Sequence, residues 1–458
     1  ELGAKNPVRY FQSNGGLALG SVVSDQSVYA INSGPASAPQ AALYIGEPWD
    51  LKNIITVDMG GTSFDITLTR DGRANVSKNI DFLRYRIGIP MIQVETLGAG
   101  GGSIGWIDSM GLLQMGPQSA GSEPGPACYD QGGDKPTTTD ANLVLGYLNP
   151  DGLVGGRLPL AVGKAQTAIA AGLAKPLGLS VEQAAYGMFT IVNNNMVNAI
   201  RRVSVERGYD PRDFVLNCAG GATGAHIMAL AREMGITKVL ISKLASGLCA
   251  FGQILSDVKY NYMAPAPVRL EGAESAARLD TLFNGLETRG MKDLKADNFT
   301  EDRISIRRSL DMRYVGQVHE CTVDVEAFTI DEAALERLKA AFHARHEELY
   351  TYSEPQSAVE VVNVESAISG AVDRPARMVI AAGQGAHTAL KGTRPMIFNA
   401  EGIAQDTPVY DGALLGAGDV LVGPAVIQEV TTTLVIEPEW KVELDATGVY
   451  VVTQTGAA

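Results

Sequence analysis

Cysteine is scarce in this 458-residue chain: Cys128, Cys218, Cys249 and Cys321 lie far apart and form no Cys-x-x-Cys pair. That scarcity excludes a disulfide framework and a cysteine zinc site, and leaves buried free thiols as the expectation. Cys128, in the loop-like Pro126-Ala127-Cys128-Tyr129, is the one thiol placed where a nucleophile is conceivable. Basic residues are also short, 37 Lys and Arg against 51 Asp and Glu, for a formal net charge of −14. A surface of that sign repels nucleic acid and anionic membranes at long range, so neither is an expected partner. No uninterrupted apolar run approaches the ~20 residues that span a bilayer, and the first residues lack a basic-then-apolar signal pattern, so the expected location is cytoplasmic. The chain opens on Glu1 and runs through Glu-Leu-Gly-Ala-Lys-Asn-Pro toward a strand-like Val8 to Phe11, which predicts a processed or truncated polypeptide with something missing upstream.

Glycine and apolar residues are abundant, with 51 glycines and 45% hydrophobic content. This is the composition of a loop-rich globular α/β protein, of about three domains at ~150 residues each. The most informative stretch is Ile54-Ile55-Thr56-Val57-Asp58-Met59-Gly60-Gly61-Thr62-Ser63-Phe64-Asp65. It predicts a buried strand, a tight turn and a second strand carrying Asp65. Glycines at such a turn let backbone N–H groups approach an anion, and Thr62 and Ser63 add donors. Asp58 at the strand end is suited to a hydrated divalent cation. An ordinary glycine hairpin satisfies the same residues.

Gly98-Ala-Gly-Gly-Gly-Ser-Ile-Gly105 meets the G-x-G-x-x-G spacing, yet the region beyond it is rich in Gly, Pro and Ser where a helix should open. The run reads as a loop that closes over a ligand or as a structural turn. From Gln114 to Thr139 a long Gly/Pro/Ser-dense segment predicts a functional loop. It ends at Asp140, a candidate catalytic carboxylate and equally a helix cap. Ser180 and Gln183 form a capping-box pattern, predicting a helix toward Glu206 with a core stripe through Met188, Val192, Met196 and Ile200. Asn193, Asn194, Asn195 and Asn198 on that helix predict a polar site or interface, since asparagine is a poor helix former. Phe214 to His226 repeats the opening logic: a buried strand, the glycine turn Gly220-Gly221-Ala222-Thr223, then a helix. Amides there suit a phosphate or a nucleoside edge. His226 reads as a packing residue, a metal ligand or an acid/base group.

These motifs together resemble the hydantoinase A / 5-oxoprolinase family, which also contains the nucleotide-binding subunits of acetone and acetophenone carboxylases. The resemblance rests on Asp58-Met-Gly-Gly-Thr-Ser, Gly98-Ala-Gly-Gly-Gly-Ser, Ser119-Ala-Gly-Ser-Glu-Pro-Gly-Pro-Ala-Cys-Tyr, Thr139-Asp-Ala-Asn-Leu-Val-Leu-Gly, Val203-Ser-Val-Glu-Arg-Gly-Tyr-Asp-Pro-Arg-Asp-Phe and Gly220-Gly-Ala. It implies an α/β fold with an actin/sugar-kinase/Hsp70-like, ribonuclease H-like nucleotide core, whose N-terminal half, with its own D-x-G-G-T turn, is missing from this sequence. It implies ATP with Mg2+ or another divalent metal as cofactors, Gly60, Gly61, Thr62 and Ser63 as the phosphate turn, and Gly220, Gly221, Ala222 and Thr223 on the adenosine side. Asp58, Asp65 and Asp140 are the candidate catalytic residues, and Asp58, Glu95 and His226 the candidate metal ligands. Glu95 stands where many hydrolase members carry histidine.

The implied activity is ATP-dependent hydrolysis of a cyclic amide such as a hydantoin, 5-oxoproline or lactam through phosphorylation of its carbonyl oxygen. The implied setting is a hetero-oligomer with a hydantoinase B-type catalytic subunit. A ketone carboxylase subunit is the alternative, and a non-catalytic scaffold subunit the second. The expected organisation is a core over 1–262, an α+β domain over 263–400 and a β-rich segment over 401–458 packing with 263–400. In the second domain Asp331 to Tyr350 predicts a capped amphipathic helix, and Arg313, Gln317 and His319 form the one cluster with chemical potential.

Overall fold

The computed structural model describes residues 7–456 apart from positions 79, 83 and 327, so the opening Glu1 to Asn6 lies outside the described residues. The chain divides into two compact units, each assembled from separated stretches: one from Glu1–Ala30 and Ser256–Arg374, the other from Ile31–Leu255 and Pro375–Ala458. This partition runs across the boundaries expected at 262/263 and 400/401. The segment 401–458 supplies Trp440–Leu444 and Val449–Gln454 to a sheet shared with Ile54–Met59, because Val449–Gln454 pairs along Lys238–Ser242.

In the larger unit, nine strands of the described residues form a mixed sheet. Its centre is parallel: Val215–Ala219 lies between Ile54–Met59 and Lys238–Ser242 and runs the same way as both. Ile54–Met59 turns back into Phe64–Arg70, with Asp58 directly opposite Asp65, and Glu95–Leu97 adds the outer edge. Central parallel strands are covered on both faces, which explains why these segments read as near-continuous apolar runs. Ile55, Val57 and Met59 join one core cluster with Met188, Val192 and Met196 of the helix Val181–Val203. That helix opens on the expected reciprocal Ser180–Gln183 capping box. The opposite face packs Val215, Ala219 and Leu240 against Ala41 and Ile45 of Ala38–Gly46 and Leu248 of Leu248–Ile254. A smaller sheet of Leu390–Ile397, Ala404–Asp411, Ala425–Gln428 and Thr433–Ile436 also belongs to this unit.

The other unit has a six-stranded sheet among the described residues, including the long strands Val258–Arg269, Ile304–Tyr314 and Val359–Gly370. The helices Gly272–Ala296 and Glu332–Tyr350 pack on it through Leu279, Phe283, Leu335 and Phe342. Asp331 caps the second by accepting from the Ala334 amide at 2.8 Å, as its sequence predicts. Arg313 is held by Glu360 and Gln317 reaches Tyr352, so these residues of the expected cluster serve strand and helix contacts, and His319 is exposed.

The segment from Gln114 to Thr139 is not one long loop. Leu113–Ser119 pairs with Ser103–Ile107 as a hairpin, and Ala127–Tyr129 forms a single helical turn.

Candidate functional site

The three parallel strands all end, at their carboxyl termini, in loops on one side of the sheet, where open α/β sheets place their ligands. The first two of those ends interlock. The Met59 amide donates to Thr223 Oγ1 at 2.7 Å, and the Ala222 amide donates to the Met59 carbonyl at 3.2 Å. Gly220 sits at φ +82°, with the space for a side chain already taken by Asp58 Oδ1 and the Met59 carbonyl.

The glycine run is the third partner. Gly101 and Gly102 donate to the carbonyls of Gly60 and Gly61 at 3.0 and 2.7 Å. At Gly100 an added Cβ would stand 2.6 Å from the backbone of Gly61 and Thr62. Two backbones this close require glycine, so the run braces the Asp58 turn and is not a dinucleotide fingerprint. The amides of Gly61, Thr62 and Gly221 donate to no backbone carbonyl among the described residues, leaving donors for an anion.

These turns open on one cavity of about 600 Å3, bordered by Gly60, Gly61, Gly101, Gly221 and Ala222. The volume lies in the usual range of ligand sites, about 300–1,000 Å3. Part of its wall is the loop around Val154, a β-branched residue held at φ +52° just before Gly155, a left-handed conformation that bulky residues rarely adopt.

Burial pushes the Asp58 carboxyl above its ordinary value; the Cys249 thiol, donating to Oδ2 at 3.1 Å, pulls it partly back, and nearby Asp65 raises it again. Asp65 is likewise raised by burial, against hydrogen bonds from Thr96 at 2.6 Å and Ser63 at 3.4 Å. The two carboxylates share one face of the sheet because they are cross-strand neighbours.

The other expected ligands are elsewhere. Glu95 pairs in register with Ile66, so it projects from the opposite face, where it accepts from Arg202 Nε at 2.8 Å. His226 is fully buried with both ring nitrogens engaged, at 2.7 Å by Asn193 and 2.9 Å by Asn142, and burial pushes its pKa down to about 3. Asp58, Glu95 and His226 therefore do not meet. Among the described residues no group of three or more His, Cys, Asp or Glu side chains is placed to hold a metal ion.

Asp140 is a structural carboxylate. It completes a capping box with Thr137 and also accepts from the amides of Ala127 and Cys128 at 3.2 and 2.8 Å, so it ties down the loop before its helix. Cys128 is buried, and burial together with Asp140 pushes its thiol far up, which removes it as a nucleophile.

Sequence reasoning missed a second wall. Glu429 lines the cavity, and its Oε1 accepts from Lys243 Nζ at 2.6 Å and from the Tyr450 hydroxyl at 2.5 Å. Lys243 follows the third parallel strand and also donates to the Gly412 carbonyl at 2.5 Å. The partners come from positions 186 and 21 residues apart, so no local spacing could reveal them. Lys243→Met strands Glu429 as an uncompensated, mostly buried charge with one remaining donor. A loss of about 2 kcal/mol is expected, less than a fully buried broken pair costs, measured as a lower denaturant midpoint.

Residues 1–262 match the hydantoinase/oxoprolinase family, and residues 269–454 match the hydantoinase/oxoprolinase C-terminal domain. Caprolactamase subunit alpha of Pseudomonas jessenii is 54% identical over 99% of this chain, which covers 66% of that protein. The crystal structure of ATP-dependent caprolactamase from the same organism superposes with a TM-score of 0.87 at 52% identity, over 99% of this chain and 66% of that one. The acetophenone carboxylase gamma subunit of Aromatoleum aromaticum is 33% identical over 91% of this chain and 58% of its own length. The sequence thus spans about two thirds or less of these relatives, and on the breadth of the match the chain belongs to the hydantoinase/oxoprolinase family.

Proposed function

We propose that this chain is the nucleotide-binding part of an ATP-dependent enzyme that opens a cyclic amide, of the lactam, hydantoin or 5-oxoproline type, by phosphorylating its carbonyl oxygen. The observation that carries the reading is the convergence of the Gly60-Gly61 and Gly220–Ala222 turns on one cavity at the ends of three parallel strands. An actin/sugar-kinase/Hsp70-type core fits this arrangement. The 54% identity to a caprolactamase subunit favours a lactam over a ketone.

In the proposed reaction the amide oxygen attacks the γ-phosphorus of ATP and ADP leaves. Phosphorylation makes the imidate carbon electrophilic, so water adds to it, the ring C–N bond breaks with the nitrogen taking up a proton, and a second water hydrolyses the resulting acyl phosphate to carboxylate and phosphate. The chain contributes position and charge. The free amides of Gly61, Thr62 and Gly221 hold phosphate oxygens, with the Thr62 and Ser63 hydroxyls beside them. The braced glycine backbones keep these donors fixed as charge moves. Mg2+ commonly takes one or two carboxylates plus phosphate oxygens, and Asp58 and Asp65 are such a donor pair; when bound it would neutralise phosphate charge. Glu95, His226 and Asp140 make no contact with the reacting groups in this scheme.

A hydantoinase B-type subunit is the proposed partner for the water-addition step, in a cytoplasmic hetero-oligomer. In the purified complex, ADP release should require a cyclic amide and match ring-opened amino acid one for one. Release that instead needs a ketone plus bicarbonate overturns the hydrolase in favour of a carboxylase.

A further inference from the structure

The asparagine cluster on the helix Val181–Val203 has no role in the reaction just described, yet one member reaches the cavity through two neighbours. Asn193, His226 and Asn142 are 4%, 1% and 3% exposed, so water competes little for their hydrogen bonds. Asn193 Oδ1 lies 2.7 Å from His226 Nδ1, and Asn142 Nδ2 lies 2.9 Å from His226 Nε2. The ring stacks on Phe189, with centroids 4.9 Å apart and planes at 23°, which fixes its rotation.

An amide oxygen only accepts and an amide nitrogen only donates. Asn193 Oδ1 therefore requires a proton on Nδ1. A histidine this deeply buried stays neutral, so Nε2 carries a lone pair and takes the N–H of Asn142. Each link sets the polarity of the next. The last atom in the chain is Asn142 Oδ1, which is buried and has no partner among the described residues, while Asn142 lines the cavity. A buried carbonyl without a donor is costly, on the order of 1–3 kcal/mol, and is explained when a ligand supplies the donor.

We propose that Asn142 is a ligand-reading residue whose side-chain oxygen accepts an N–H from the cavity's occupant, and that Asn193 and His226 are positioning residues that keep that oxygen forward. This deepens the proposed function and rests on its cavity being the ligand site. Two ligand groups carry such an N–H: the ring nitrogen of a cyclic amide and the exocyclic amine of adenine. An occupant without a donor gains nothing from Asn142.

The test uses the complete complex and two pairs of probes, a lactam against its N-methyl derivative and ATP against purine riboside triphosphate, which lacks the amine. Wild type should prefer the N–H-bearing member of one pair by about 10-fold or more in kcat/KM, as a buried hydrogen bond predicts, and the pair it prefers identifies the source. In Asn142→Leu that preference should collapse to near unity, whatever the overall rate. Equal loss on both members of each pair, or an unchanged preference, overturns the proposal.

A second measurement is independent of turnover. Nitrogen-15 NMR of His226 should show the Nδ1–H tautomer, retained in Asn193→Asp and shifted in Asn193→Leu. An Nε2–H tautomer in wild type overturns the relay. A complex with no ATP-dependent ring opening would sink the proposed function, and the NMR result would still decide the relay.

Discussion

Asp58→Asn in the complete complex should cut ATP consumption by about 10²–10³-fold, the usual loss when one fixed electrostatic partner of a reacting group is removed, without weakening the fold. Asp58 ends a fully paired strand, sits opposite Asp65 and is held by Cys249, so an isosteric amide fits the same space. What changes is charge. Burial raises the folded-state pKa of Asp58, so its contribution to stability is full below the unfolded value and is lost as pH rises through the folded one. At neutral pH the buried carboxylate therefore works against folding, and the amide relieves it. The Asp58→Asn denaturation midpoint at pH 7 should equal or exceed that of wild type while turnover collapses.

The pH profile gives a second reading. A protonated carboxyl neither draws a cation nor balances phosphate charge. Wild-type turnover should climb with pH through the raised pKa values of Asp58 and Asp65, and the variant should lose part of that acid limb. Unchanged ATP consumption in Asp58→Asn would instead favour a scaffold subunit that has kept the fold without turnover.

Features set by neighbours in sequence were legible. The run Ile54 to Val57 followed by Asp58-Met-Gly-Gly-Thr-Ser specified strand, turn and strand because apolar burial and glycine freedom act locally. The Ser180–Gln183 box and the Asp331 cap were legible for the same reason, since each satisfies its own helix's first amides. Glu95 was misread because its chemistry suits a hard metal while its strand register, invisible one chain segment at a time, points it at Arg202. For His226 and Asp140 the residues left a structural and a chemical reading open, because burial, which residue type does not show, decides whether a polar side chain is available. The strand Leu113–Ser119 was hidden by its glycine and proline content, and its pairing is supplied by Ser103–Ile107. The Lys243–Glu429–Tyr450 group and the Asn193–His226–Asn142 relay exist only after the sheets assemble.

Gly220→Ala should be strongly damaging, although it adds one methyl group. The residue lies at φ +82°, where an L side chain is strained. Its Cβ would sit 2.4 Å from both Asp58 Oδ1 and the Met59 carbonyl oxygen, and 2.8 Å from the Met59 carbonyl carbon. Two of these are backbone atoms of a strand paired on both sides, with Val215–Ala219 and Phe64–Arg70, so they cannot move without breaking the sheet. Left-handed strain and overpacking together should cost about 3–4 kcal/mol, read as a lower denaturant midpoint. The functional loss should exceed what stability alone explains. Relief of the clash must push the Gly220–Ala222 turn away from Met59, which breaks the Ala222 contact to the Met59 carbonyl and moves the Asp58 carboxylate. At a temperature where the variant remains folded, nucleotide binding should still be weaker than wild type by 10-fold or more, the scale of about 1.4 kcal/mol in lost contacts. Gly221→Ala is the internal control. Its Cβ would meet only the Thr431 carbonyl, at 3.1 Å and without positive φ, so a smaller loss is expected. If the two variants bind nucleotide equally well, the two turns do not act as one site.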